Sequence, residues 1–144
     1  MKWLYGDKDL AAASELEHRI AASARHRGFI TYSELVRDVT FRLPNVANGQ
    51  PYQIRTSEWS GLDRKILGEC LGYSSSRSYL QAGFLATAVV VSQSELKPSD
   101  LFFAWMKELN ALPDLKEDTV LAFWARQFNE ALKWYKAQPN RTIL

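Results

Sequence analysis

The sharpest catalytic pattern in this chain of 144 residues is Glu95-Leu96-Lys97. It has the E-x-K spelling that follows a strand in many nucleases that depend on a divalent metal ion. Such a site also needs an acidic residue shortly upstream, because two carboxylates share the cation. The nearest ones are Glu69 and Asp63, which a predicted helix end and a serine-rich loop separate from the tripeptide. We therefore predict a solvated turn here, and a metal-dependent nuclease that uses Glu95 and Lys97 is the alternative.

The other reactive side chains do not combine into a known kind of site. His18 and His26 lie eight residues apart on one predicted helix, too far to chelate one metal ion as an i, i+4 pair would. Cys70 has apolar neighbours in a helical pattern, which is typical of an inert buried thiol. The serines between positions 74 and 78 lack the G-x-S-x-G and S-x-x-K spacings of activated serine nucleophiles. We predict no catalytic residue, no metal and no cofactor.

Length and composition indicate one globular domain over residues 1–144. Hydrophobic residues make up 47% of the chain and charged residues 24%, which is enough to build a core. No segment approaches the ~18 apolar residues of a membrane span. The acidic and basic residues after Gly6 interrupt any signal-peptide pattern, and the chain has one cysteine. We predict a soluble cytoplasmic protein that does not enter a membrane.

The elements that position these side chains are organised around Phe84–Val91, the one long uninterrupted apolar and β-branched run. Such a run predicts a strand buried on both faces. Its best partner is the short segment Phe29–Thr31, which follows Gly28 and precedes a helix start. We expect the two segments to lie side by side in a small sheet, with Val90 among the most buried residues.

Helical periods and capping residues predict the rest of the first half. The first helix runs from Asp7 to His26, and the T-x-x-E spacing of Thr31 and Glu34 predicts a capping box that starts a second helix. Residues 40–57 contain two prolines and an Asn-Gly pair, which predicts a long loop. This loop is either a contact surface or a tolerated insertion. A third helix is predicted from Glu58 to Leu71, ended by Gly72, with a serine-rich loop over residues 73–81.

Two helices are predicted at the carboxyl end. Pro98-Ser99-Asp100 is a good helix opening, and a wide apolar stripe follows it as far as Asn110. The last helix lies between Pro113 and Pro139 and has the clearest helical period of the chain. The predicted fold class is therefore α+β and mostly helical, with a winged-helix-like core, a small sheet and two C-terminal helices.

Several short motifs along the chain together suggest a family. They are Phe29–Leu35, Leu67-Gly68-Glu69, Leu85–Val91, Pro98 with Phe102-Phe103, and Phe123-Trp124 with Trp134-Tyr135. In these motifs the chain resembles an uncharacterised family of small bacterial and phage-borne proteins that are winged-helix-like, and the similarity covers most of residues 29–135. The long loop at 40–57 and the lack of a glycine-rich segment after Pro98 depart from the family pattern. The resemblance supports one compact domain and implies no particular activity.

A binding role remains, and two classes of ligand are open. Between Arg19 and Arg77 there are nine basic and five acidic residues, whereas the charges cancel from Glu95 onward. In a winged-helix protein that binds DNA, the third helix enters the major groove. The six basic residues predicted to bind nucleic acid are Arg25, Arg27, Arg37, Arg64, Lys65 and Arg77.

The competing prediction is a protein partner or a second copy of the chain. The carboxyl half has more aromatic residues than one helical face can bury. A surplus of exposed aromatic side chains is typical of an interaction surface. Trp134 and Tyr135 are the predicted anchors of such a surface.

Overall fold

A computed structural model describes residues 3–139 and confirms a mostly helical α+β fold. Within that range the chain forms five α helices and two short strands. In chain order they are α1 (Leu10–His26), β1 (Ile30–Thr31), α2 (Tyr32–Val36), α3 (Gly61–Ala82), β2 (Val90–Val91), α4 (Asp100–Glu108) and α5 (Glu117–Ala137).

Local capping explains where the first two helices begin. The carboxylate of Asp9 accepts a hydrogen bond from Ala12 N at 3.0 Å and starts α1. The predicted capping box of α2 is confirmed: Glu34 N donates to Thr31 Oγ1 at 3.3 Å, and the Glu34 side chain accepts from Thr31 N. Because each cap satisfies amides that the first helical turn leaves unpaired, short polar side chains fix both starting points.

The small sheet joins the two predicted segments. Ile30 pairs with Val90 and Thr31 with Val91 in parallel, so both strands end at the same edge. Residues 84–91 are all buried, as predicted, but the prediction of one long strand is wrong. A 3₁₀ helix occupies Ala86–Val89, and only the last two residues of the run are a strand.

Side chains take the place of the missing strand partners. Leu85 N donates to the Gln127 side-chain oxygen, and Ala86 N donates to Ser78 Oγ, both at 3.0 Å. The buried backbone therefore finds its acceptors on α3 and α5 without extending the sheet.

Helix α3 is the central element, and its predicted end at Leu71 is wrong. The helix continues through the serine-rich segment to Ala82 and ends at Gly83, whose φ is +74°. Two of the serine hydroxyls find partners in the interior: Ser74 donates to Glu17 at 2.9 Å, and Ser78 donates to the Phe84 carbonyl at 2.8 Å. The hydroxyl of Ser76 is also buried and has no partner among the described residues. Serines that would favour a loop on the surface are thus held within a buried helix, most of them by interior partners.

The long segment at 40–57 is irregular, as predicted, but it is attached to the core. Four of its own residues are buried in the core: Phe41, Leu43, Val46 and Ile54. A single bridge joins Phe41 to Tyr52. These buried residues make the segment part of the fold on its inner side.

The segment that follows β2 forms a turn. Within residues 3–139 the sheet is two-stranded and parallel. Ser92–Lys97 is a tight turn, closed by a 2.8 Å hydrogen bond from Ser92 N to the Lys97 carbonyl. The winged-helix character of the fold stays a prediction.

Candidate binding groove

A groove lies where the two parallel strands end. Tyr32 and Ser33 follow β1, Ser92–Ser94 follow β2, and all of them line the groove. In parallel sheets the crevice beyond the carboxyl ends of the strands is the usual place for a ligand, because the chain turns away there on both sides.

The groove has a volume of about 540 Å³, which is within the usual range for sites that hold drug-sized ligands. Helix α3 forms one wall and the start of α4 forms another. The fourteen residues that line it are Tyr32, Ser33, Trp59, Arg64, Leu67, Gly68, Leu71, Gly72, Ser92, Gln93, Ser94, Ser99, Asp100 and Phe102.

The floor of the groove is apolar. Leu67, Leu71 and Phe102 are buried, and Trp59 is half-buried against the main core. Gly68 adds no side chain to this floor, so α3 presents a shallow surface. An apolar side chain of a ligand that binds here would be transferred from water to an apolar surface, which is favourable.

Tyr32 and Ser99 tie the two helix starts together beside the groove. The Tyr32 phenolic oxygen accepts a hydrogen bond from Ser99 N at 2.7 Å. Burial raises the pKa of Tyr32, and the hydrogen bond with Ser99 opposes that shift. The phenol is therefore neutral at physiological pH and keeps a proton that it can donate.

Two residues of opposite charge line the groove, Arg64 on α3 and Asp100 on α4. Both are exposed. They form no ion pair with each other or with any other residue in the described part of the chain. Their charges are thus available to a ligand.

Trp3 and Trp105 pack together over Gly72 at one end of this floor. Trp3 Cη2 is 3.0 Å and Trp105 Cδ1 is 3.3 Å from the position that a Cβ at Gly72 would occupy. The two indole rings lie 4.8 Å apart. Residues 3–6, which precede α1, form an arm that carries Trp3. Buried Glu69 holds this arm, because its carboxylate accepts hydrogen bonds from Tyr5 N at 2.7 Å and from Gly6 N at 3.1 Å.

Three of the six basic residues predicted to bind nucleic acid have intramolecular partners. Arg77 pairs with buried Glu17 at 3.0 Å, and Arg27 pairs with Glu34. Arg25 donates to the Tyr135 carbonyl at 3.0 Å and to that of Gln138 at 2.6 Å. Some of the hydrogen-bond donors of each of these three arginines are therefore already bound to acceptors of the protein itself.

The other three, Arg37, Arg64 and Lys65, are exposed. Arg64 and Lys65 lie on the first turns of α3, but the middle of that helix is buried. A helix covered in this way cannot lie along a DNA groove over its whole length. Of the six residues, Arg64 alone lines the binding groove.

Tyr135 was predicted as an exposed anchor, and this prediction is wrong. Its side chain is 0% exposed, and its hydroxyl donates to the Ala86 carbonyl at 3.2 Å. Trp134 is half-buried and stacks on Phe84 with ring centroids 5.0 Å apart. The helical period of α5 buries one of each adjacent pair, and the polar hydroxyl of Tyr135 finds its acceptor in the core.

The residues considered for catalysis form no metal site among the described residues. Glu95 and Lys97 pair at 3.8 Å in the turn after β2. No group of three histidine, cysteine or acidic residues between positions 3 and 139 could hold a metal ion. Cys70 is buried as predicted, and burial raises the pKa of its thiol to about 12, which keeps it protonated.

Comparisons with protein-family models, curated proteins and solved structures found no match to this chain. The family resemblance therefore stays a prediction. Among the described residues, no helix has both the length and the apolar character that crossing a membrane requires.

Reasoning from the sequence missed most of the groove. Ser33 and Ser94 carry no motif, and Asp100 was noted only as part of a helix opening. The parallel pairing of the strands brings Ser33 and Ser94 to one edge of the sheet. One feature of the sequence could have indicated the groove. The two segments that were predicted to pair are each followed by polar residues, and parallel pairing places those polar residues at one edge of the sheet.

Proposed function

We propose that this protein is a non-catalytic interaction module that binds a short peptide segment of a partner protein in the groove. The observation that carries the proposal is the apolar floor formed by Leu67, Leu71 and Phe102 between polar walls, in a groove of about 540 Å³. Peptide-binding grooves use this arrangement, with apolar side chains in pockets and polar groups at the rim.

Charge distribution favours a peptide over nucleic acid. A DNA-binding surface gathers several cations to neutralise phosphates. Here one cation and one anion line the groove, and Arg25, Arg27 and Arg77 have partners elsewhere in the protein. An acidic rim residue such as Asp100 would repel a phosphate backbone.

The residues that line the groove also support binding rather than catalysis. They include no histidine, cysteine or lysine, so the common pairing of a serine nucleophile with a histidine or lysine base does not occur among them. Glu95 and Lys97, the residues of the nuclease alternative, are not among them. A cytoplasmic location is part of the same proposal, because the one cysteine is a free, buried thiol.

A selection of phage-displayed heptapeptides against the immobilised protein tests the proposal. Peptides that bind the wild type are titrated against Arg64→Glu and the matched control Lys65→Glu. Both changes reverse one exposed charge on the same turn of α3, but only Arg64 lines the groove. We expect Arg64→Glu to change affinity about tenfold or more and Lys65→Glu to leave it within about twofold.

Two outcomes would overturn the proposal. One is a selection that enriches no peptide. The other is binding of a DNA duplex at low salt that falls steeply with added salt and that Arg64→Glu and Lys65→Glu weaken equally, because equal effects are expected of two phosphate contacts.

A further inference from the structure

The two charged residues of the groove interact differently with the dipoles of their own helices. Asp100 is the first residue of α4, where a negative charge interacts favourably with the helix dipole. Arg64 lies near the amino end of α3, where a positive charge interacts unfavourably. Arg64 has no ion-pair partner in residues 3–139, although its charge interacts favourably with neighbouring Asp63, so its guanidinium can form an ion pair with a ligand.

The dimensions of the floor set the length of the bound segment. Along α3 the lining residues run from Arg64 through Leu67 and Gly68 to Gly72. The eight helical steps from Arg64 to Gly72 span about 12 Å. An extended peptide covers that length with about four residues.

We propose, on the basis of the proposed function, that the bound segment carries one acidic and one basic residue around an apolar side chain. The acidic residue pairs with Arg64, the basic residue pairs with Asp100, and the apolar side chain rests on Leu67, Leu71 and Phe102. Because Arg64 lies on α3 and Asp100 on α4, the two pairs fix the direction in which the segment lies. Opposite charges at defined positions give specificity beyond what an apolar floor alone can give.

The test uses the heptapeptides enriched in the selection, and their charge pattern is the first readout. We expect the enriched set to share an acidic and a basic residue within about four positions, with a leucine, methionine or phenylalanine near them. Enriched peptides that share an apolar residue but neither charge would overturn this inference and leave the groove as the binding site. A selection without any enriched peptide would overturn both.

Charge exchange is the second readout. Arg64→Glu should weaken the enriched peptide about tenfold or more, and replacing its acidic residue with lysine should restore binding to that variant. Asp100→Asn should weaken the same peptide severalfold, whereas Asp118→Asn, at the start of α5 and outside the groove, should not. If the exchanged peptide does not recover affinity for Arg64→Glu, the assignment of Arg64 to the acidic residue is wrong.

Discussion

The Tyr32 phenolic oxygen and Ser99 N are 2.7 Å apart and join the first residue of α2 to the cap of α4 across 67 positions of sequence. This hydrogen bond links two of the walls of the groove. One partner belongs to the first residue of α2 and the other to the N-cap of α4, so the bond fixes the relative position of two helix starts.

Removing the Tyr32 hydroxyl should destabilise the protein. Tyr32→Phe keeps the ring but leaves Ser99 N without its acceptor, and we expect a loss of about 1 kcal/mol in the free energy of unfolding. Urea denaturation measures it. Tyr5→Phe is the matched control, because the Tyr5 hydroxyl makes no hydrogen bond to a described residue. Equal losses in the two variants would contradict the role assigned to Tyr32.

Gly72 and Trp3 should be coupled energetically. Gly72→Ala gains up to about 1 kcal/mol of helix propensity, but its Cβ would lie 3.0 Å from Trp3 Cη2 and force the indole to move. We expect the gain to appear in a Trp3→Ala background and to be largely cancelled in the wild type. A double-mutant cycle by urea denaturation should give a coupling of about 0.5 kcal/mol or more. If the effects of Gly72→Ala and Trp3→Ala on the free energy of unfolding are additive, the packing of Trp3 does not depend on a glycine at position 72.

Two carboxylates should respond to pH in opposite directions. Burial raises the pKa of Glu17 above its ordinary value of 4.5, against the opposing effects of Ser74 and Arg77. Its contribution to stability is therefore largest below about pH 4.5 and declines as pH rises through the higher folded-state pKa. Hydrogen bonds from Arg27 and Thr31 lower the pKa of Glu34 to about 2, so its contribution is present above 4.5 and is lost as pH falls toward 2.

The variants Glu17→Gln and Glu34→Gln separate these effects. Between about pH 3 and pH 7, the stability of the wild type relative to Glu17→Gln should fall as pH rises, whereas its stability relative to Glu34→Gln should increase. Denaturation curves at several pH values measure both differences. Two differences that change in the same direction would show that one of the assigned shifts has the wrong sign.

Val90 should not tolerate a charge. Its side chain is 0% exposed in β2, and Val90→Asp would bury a carboxylate without a partner, at a cost of several kcal/mol. We expect loss of the folded state by circular dichroism. Leu96→Asp is the control, because Leu96 is 59% exposed and its positive φ suits aspartate. A folded Val90→Asp protein would contradict the position of β2 in the core.

The sequence predicted the parts of the fold that depend on neighbouring residues. The caps at Thr31 and Ser99 each bond to an amide three residues away, so short windows of sequence contain both partners. The first helix was predicted from Asp7, but it begins at Leu10 after the Asp9 cap. The burial of residues 84–91 could also be predicted, because a continuous run of apolar and β-branched residues is typical of a buried segment.

Long-range partners could not be predicted in the same way. Ser78 and Gln127 accept hydrogen bonds from the segment before β2, and this replaced the expected long strand with a 3₁₀ helix. The groove depends on the meeting of Tyr32 with Ser99 and on the parallel register of the strands. Tertiary packing decides such contacts, and local pattern carries little information about them.

Mapping the bound peptide on the protein is the most direct test of the groove as the binding site. Backbone amide shifts of the ¹⁵N-labelled protein are followed as the enriched heptapeptide is added. We predict the largest changes at Ser33, Gly68, Gly72 and Ser92–Ser94, which line the groove. Changes centred instead on Trp134 and Arg25, with the groove amides unmoved, would contradict the account.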